Sequence, residues 1–318
     1  MATAFLFPGQ GAQTVGMGCD LCEAFAEARG VFDQAERATG LPLRKLCFEG
    51  PEEELARTDV CQPAIFTVSA AVLAVLAEQL GPEGVEAFRP AYLAGLSLGE
   101  YTALYAADAI DLAPAVRLVA RRGELMQAAA VATPSGMLSV MGLDEEQAWQ
   151  LVEAAAEGET LTCANFNCPG QIVLSGTREA CRRAERLAGD FGARMAAPLK
   201  VAGAFHSEAM APAAEKLAEA LRAVEFRTPR TPVVANIDAR PHATSQEVRD
   251  KLLIQLTGAV RWQQSMEFLL ESGVRQFYEI GPGRVLAGLM RRIDRSAKVT
   301  SLDGLSAVER LLEEAAAR

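Results

Sequence analysis

The spacing of apolar and polar residues changes several times along the chain, and each change predicts an element. Residues 3–7 (TAFLF) form a short apolar run that stops at Pro8-Gly9-Gln10-Gly11, a strand followed by a glycine-rich loop. A helical region follows over residues 16–37. Residues 62–80 (QPAIFTVSAAVLAVLAEQL) are apolar on nearly every face, which predicts a helix over 61–80 buried on all sides. Tyr92-Leu93-Ala94 reads as a short strand, and helices are expected over 98–107 and 111–130.

The rhythm shifts in the middle of the chain. A strand at 137–143 leads into an amphipathic helix at 144–158, acidic in its first turn. Strands at 160–167 and 171–177 flank the turn Cys168-Pro169-Gly170, and a helix at 178–192 precedes a strand at 193–200. Strand–helix–strand–strand–helix–strand is the ferredoxin-like order. Beyond it come helix 208–223, strand 231–237, helices 247–256 and 262–272, and a strand within 276–283 ending in Gly-Pro-Gly. Alternating strands and helices predict a mostly parallel sheet. The expected fold is α/β: a large domain of residues 1–132 and 200–318, with a ferredoxin-like α+β subdomain inserted at 133–199.

A chain of 318 residues that is 50% hydrophobic and 23% charged can bury a core of that size, and about two domains fit its length. No run of eighteen apolar residues and no basic, then apolar, leader is present, so no membrane association is expected. Seven scattered cysteines do not suggest a disulfide framework, and a cytoplasmic, monomeric protein is the expectation. Cys19 and Cys22 form a CxxC without further ligands nearby, and read as a structural pair on a short helix. A net charge of −10 argues against a general nucleic-acid binder. Arg182, Arg183 and Arg186, then Arg291, Arg292 and Arg295, read as solvated helix faces, one of which could dock an acidic partner.

Gly95-Leu96-Ser97-Leu98-Gly99 carries the first chemical signal. A strand before it and a helix after it make a nucleophile elbow, in which glycines flank a sharply turned serine. Ser97 would then sit at the positive end of a helix, with the Leu98 N–H aimed at a developing oxyanion. A serine needs a base, and the chain offers two histidines, His206 and His242. His242 lies in the polar segment DARPHATSQEV and reads as an exposed loop residue. His206, at the end of a short segment near the sheet, is the better base. The acidic residues between Ser97 and His206 read as belonging to solvent-facing helices, so a carbonyl or an amide must orient the imidazole. Arg121 and Arg122 read as surface arginines, and Gln10, Gln62 and Gln255 as ordinary loop and helix residues.

Together, several stretches resemble the malonyl-CoA:acyl carrier protein transacylases and the acyltransferase domains of fatty acid and polyketide synthases. They are FLFPGQGAQ (5–13), QPAIFT (62–67), GLSLGEYTAL (95–104), VARRGELMQ (119–127), NFNCPGQIVLSG (165–176), GAFHSEAM (203–210), LIQLTGAVRW (253–262) and EIGPGRVLAGL (279–289). The resemblance implies an α/β-hydrolase-like core with a ferredoxin-like insertion. It implies that Ser97 is the malonyl-ester nucleophile and His206 its general base, with the N–H groups of Gln10 and Leu98 as oxyanion hole. Gln255 would orient His206 through its main-chain carbonyl, Arg122 would clamp the malonyl carboxylate, and Gln62 would lie near the acyl pocket.

Two positions bear on selectivity. Leu96 stands where the family usually has histidine, which removes a polar neighbour of the acyl pocket. Phe205 precedes His206, as in malonyl-selective members, and would crowd a branched acyl chain. The expected reaction moves malonyl from malonyl-CoA to the phosphopantetheine thiol of acyl carrier protein, without metal or redox cofactor. A trans-acting polyketide acyltransferase, a serine hydrolase on the same elbow and a silent carrier-docking protein are the alternatives. Arg182, Arg183, Arg186, Arg291 and Arg292 are the carrier-docking candidates.

Overall fold

The computed structural model describes residues 2–316. Their strands are β1 (Ala2–Phe7), β2 (Tyr92–Gly95), β3 (Ser135–Met141), β4 (Leu161–Cys168), β5 (Gln171–Thr177), β6 (Met195–Pro198), β7 (Val233–Val234), β8 (Val274–Ile280) and β9 (Lys298–Leu302). Five form a parallel sheet in the order β7-β2-β1-β8-β9, and four form an antiparallel sheet in the order β4-β5-β3-β6. The second set, with helices Glu145–Ala156 and Arg178–Leu187, has the ferredoxin-like arrangement. The fold is therefore α/β, a parallel-sheet core with an inserted α+β subdomain.

Alternation along β1 shows why helices cover both faces of the large sheet. Phe5 and Phe7 join one apolar core, and Ala4 and Leu6 join another with Trp262, Met266 and Phe277. The first core holds the helix Thr58–Ala87, which lies along helix Leu112–Ala132. By length and composition that helix could cross a membrane, but 83% of its most apolar window is buried inside the protein. Leu138, Leu151, Phe166 and Leu174 belong to a third core, beneath the small sheet. Asp144 and Gln147 cap helix Glu145–Ala156 reciprocally, as its acidic start suggests.

Several elements differ from the sequence pattern. The region 16–37 splits into helices Cys19–Ala24 and Ala26–Thr39, because Phe25 is extended and Arg29 takes the carbonyls of Cys22 and Glu23. Strand 231–237 shrinks to Val233–Val234, since Ala235–Arg240 closes a turn back onto Pro241. The helices Leu43–Glu49, Glu52–Leu55, Val285–Ile293 and Leu305–Ala316, and the edge strand β9, fall outside the elements expected above, although Val285–Ile293 and Leu305–Ala316 each bury one apolar face. At the carboxyl edge of the large sheet, β1 runs into the Gln10 loop, β2 into Ser97, β7 toward Asn236 and β8 into Gly281-Pro282-Gly283. Loops at that edge of a parallel sheet are where sites form.

Candidate active site

Ser97 lies one residue beyond the end of β2, after Leu96, and the helix Gly99–Ala106 starts two residues later. That reversal forces Ser97 to φ 52°, a left-handed conformation costing a non-glycine residue about 1–3 kcal/mol. The flanking glycines are required by contact rather than by torsion. A Cβ on Gly95 would lie 1.9 Å from the carbonyl carbon of Gly99, and one on Gly99 would lie 2.1 Å from the Phe7 oxygen. The Ser97 N–H donates to Asn236 Oδ1 at 2.6 Å, which pins the strained turn.

His206 is buried and also left-handed, at φ 58°. Its Nε2 lies 2.8 Å from Ser97 Oγ and its Nδ1 2.8 Å from the main-chain oxygen of Gln255. A carbonyl only accepts, so Nδ1 carries the proton and the lone pair of Nε2 faces the serine. Burial, and next the charge of Arg122, lower the His206 pKa to about 4, against the opposing pull of main-chain partners. The imidazole is therefore neutral at pH 7 and able to take a proton.

Arg122 is the largest polar group in the site and is 1% exposed. One Nη donates to Gln62 Oε1 at 2.6 Å, and the other to Ser97 Oγ and Gln255 Oε1, each at 3.0 Å. The guanidinium lies 5.4 Å from the centroid of the Tyr101 ring. Desolvation pulls its pKa down, with Tyr101 and Glu100 opposing. The neighbouring Arg121 instead points outward to Glu124 at 3.0 Å. Reading both as surface arginines is thus corrected for Arg122: it falls in the apolar stripe of Leu118, Val119, Leu125 and Met126.

These groups line a cleft of about 200 Å³, together with Gln10, Leu98, Leu96, Met126, Met137, Asn165, Val173 and Phe205. A larger cleft, about 780 Å³, lies at the β9 edge among residues such as Lys298, Thr300 and Arg310, and contains no serine–histidine pair. Chemical competence, not size, marks the smaller one. It joins an activated hydroxyl, a neutral base and a fixed cation, a set suited to covalent transfer of an acyl group that carries negative charge.

A family model described as acyl transferase domain matches residues 4–306. The chain belongs to the acyl transferase family. It is 42% identical over 307 residues to the malonyl CoA-acyl carrier protein transacylase of Bacillus subtilis strain 168, spanning 96% of this chain and 95% of that protein. A solved acyl-carrier-protein-S-malonyltransferase from Bartonella henselae matches with a TM-score of 0.94 and 40% identity, over 99% of this chain and 100% of that one. A malonyl-transacylase in complex with its type II PKS acyl-carrier protein matches at TM-score 0.93 and 40% identity, over 99% and 100%.

Within this acyl transferase, several sequence readings change. His242 is not an exposed loop residue: it is 5% exposed, with Nε2 2.9 Å from Glu100 Oε1. Glu100, 0% exposed, shows that an acidic residue near Ser97 is buried rather than solvated. Asn236 was missed outright, and no pattern in TPVVANI marks it. Arg183 is no free docking cation, because it donates to the carbonyls of Ala155 and Ala156 and pairs with Glu159. Arg292 hydrogen bonds Gln171 at the cleft wall, and Arg182 pairs with Glu179. Cys19 and Cys22 sit on the helix Cys19–Ala24 as free thiols.

Proposed function

We propose that this acyl transferase moves a malonyl group from malonyl-CoA to the phosphopantetheine thiol of acyl carrier protein, the step that supplies extender units for fatty acid synthesis. One observation carries the reading: a buried guanidinium lies 3.0 Å from the hydroxyl that His206 activates. An acyl group bound there gains most if its far end is a carboxylate, which a planar cation can clamp with paired hydrogen bonds. Acetyl and longer neutral chains would leave that charge buried and unpaired. The names of the similar proteins support the same substrate and carrier.

In this reading Ser97 Oγ attacks the thioester carbonyl as its proton passes to His206 Nε2. The N–H groups of Gln10 and Leu98 receive the oxyanion, and coenzyme A leaves with the proton from His206. The carrier thiol then gives its proton to His206 and attacks the malonyl ester, and Ser97 is reprotonated on release. Gln255 keeps the imidazole in the required tautomer through its main-chain oxygen. Gln62 fixes the far side of Arg122, while Leu96 and Phe205 shape the acyl pocket. Every proton transfer uses these side chains, so no metal or redox cofactor is invoked.

Residues 133–199 act as the inserted unit that walls the pocket, and their separate apolar core supports that division. The acidic carrier would approach the cleft mouth near Arg291 and Arg292, with Arg182 and Arg186 as secondary candidates. Seven free thiols, six of them buried, suit a reducing cytoplasm. The test is the intact mass after mixing with malonyl-, acetyl- or methylmalonyl-CoA. A malonyl adduct absent in Ser97→Ala supports the reading; free malonate without adduct points to hydrolysis, and no reaction refutes it.

A further inference from the structure

None of the steps above uses Glu100, yet it is 0% exposed and lies in the first turn after Ser97. A carboxylate is buried at such depth only when its oxygens are satisfied. Here Oε1 accepts from His242 Nε2 at 2.9 Å. Oε2 accepts from the Asn236 N–H and from Gln255 Nε2, each at 2.8 Å. Both of the latter partners lead straight to the reacting groups. Asn236 receives the Ser97 N–H and donates to the Gly95 oxygen at 2.7 Å. Gln255 holds His206 by its main-chain oxygen, the Ser97 carbonyl by Nε2 at 3.2 Å, and Arg122 by Oε1.

We propose that Glu100 and His242 are positioning residues for acyl transfer: the His242-braced carboxylate of Glu100 fixes Gln255 and Asn236, and through them the alignment of His206 with Ser97. The inference rests on reading Ser97 and His206 as the reacting pair. One carboxylate thus ties together the strained serine turn, the tautomer of the base and the orientation of the guanidinium. The remaining ring nitrogen, His242 Nδ1, is buried without a hydrogen-bond partner among the described residues. With Nε2–H donating to Glu100, that nitrogen carries only a lone pair, the less demanding arrangement for an isolated site.

This geometry makes Glu100→Gln informative. A carboxylate accepts on both oxygens, whereas a carboxamide accepts on one and donates from the other end. Its NH2 would face His242 Nε2–H, or His242 would switch tautomer and leave an unpaired N–H at Nδ1. In the double variant Glu100→Gln with His242→Gln, the second carboxamide oxygen can accept that NH2. His242→Gln alone still presents a donor to Glu100, while His242→Leu does not.

Two readouts apply to the full chain: the rate of malonyl adduct formation, and the rate of Ser97 labelling by phenylmethanesulfonyl fluoride. The latter needs an aligned serine and base but no malonyl group. With thermal melting confirming a folded protein, Glu100→Gln is expected to slow both rates about 10- to 100-fold. The double variant should recover at least half of that loss on a logarithmic scale. His242→Gln should stay within about threefold of the parent and His242→Leu should lose about tenfold. If Glu100→Gln does not fold, the His242 pair decides alone. Variants that melt lower yet label at the parent's rate would reduce Glu100 and His242 to structural filler and overturn the proposal, as would a double variant no better than the single. Slower labelling in a protein that never forms a malonyl adduct would keep the positioning role and refute the malonyl reading instead.

Discussion

Ser97 is held by the large sheet through crowding, whereas His206 is held at a seam between the two sheets. On the serine side, Gly95, Gly99 and Phe7 are packed so closely that a single methyl does not fit. On the histidine side the loop is tied by separate hydrogen bonds. The Ala204 N–H donates to Ser135 Oγ of β3 at 3.1 Å, and Ser175 Oγ of β5 donates to the Phe205 oxygen at 2.6 Å. The main-chain oxygen of Gln255, at the end of helix Ser245–Gln255, accepts from His206 Nδ1. The nucleophile is thus fixed within one layer, while the base depends on how the two sheets meet. The main-chain bonds between Phe166 and Val260 and between Val260 and Ala164 hold that meeting in place.

The largest effects should come from the serine side, and they separate chemistry from shape. Ser97→Ala keeps the backbone, so folding should persist while transfer falls by at least about 10,000-fold and the malonyl adduct disappears from the intact mass. Gly99→Ala should instead destroy the fold around the elbow, read as loss of soluble protein or of a cooperative melt. Soluble, active Gly99→Ala would break the claim that crowding holds the serine. Next in size is Arg122→Gln, which should lower the acylation rate with malonyl-CoA about 100-fold. The rate with acetyl-CoA should change only a few-fold, because acetyl offers no carboxylate. An equal loss on both substrates would make Arg122 a structural group only.

The two sides also differ in how much of them the sequence reveals. Ser97 is legible because strand, glycines and helix are local in the chain. His206 is legible because only two histidines compete, but the ground for setting His242 aside was wrong: His242 is buried by a turn that the polar segment around it does not announce. Arg122 carried an unread signal, a charge inside the apolar stripe of helix Leu112–Ala132. Glu100 carried a similar one, as the sole charged residue in the otherwise apolar first turns of Gly99–Ala106. Asn236 carried none, and the carbonyl of Gln255 was legible only through the family resemblance, because main-chain groups and turns formed by distant contacts leave no periodicity. The ferredoxin-like order was readable from alternation, while β9, a short and partly polar edge strand, was not.

The pH dependence tests the histidine side. Only neutral His206 can accept the serine proton, and its pKa is lowered to about 4. Acylation should therefore be level from neutral pH down to about pH 5, then fall about tenfold per unit below pH 4. Burial is the main cause of that shift and the Arg122 charge the second. In Arg122→Gln the fall should begin at higher pH yet stay below the ordinary histidine value of about 6.5. A midpoint near 6.5 in the parent protein would mean that water reaches the imidazole. Phe205→Ala, at the pocket wall, should raise methylmalonyl adduct formation relative to malonyl by about tenfold. No change would move the crowding elsewhere.

The smallest effect is also the sharpest test of the seam. Ser175 is 0% exposed, lies on β5, and touches neither the cleft nor the reacting atoms by its hydroxyl. Among the described residues its hydroxyl hydrogen bonds the Phe205 oxygen alone, next to His206. Ser175→Ala leaves that carbonyl unsatisfied, a loss of about 1 kcal/mol. If the small sheet sets the base, that loosening should appear as a fall of about three- to fivefold in the acylation rate, with little change in the affinity for malonyl-CoA. As a control, Thr39→Ala at the end of helix Ala26–Thr39, whose hydroxyl donates to the Ala35 oxygen and accepts from the Leu41 N–H away from the cleft, should lower stability without slowing acylation. Equal rates in the two variants would mean that Gln255 alone aligns the imidazole. A slower Ser175 variant beside an unchanged Thr39 variant would mean that the inserted subdomain helps to hold the base as well as walling the pocket.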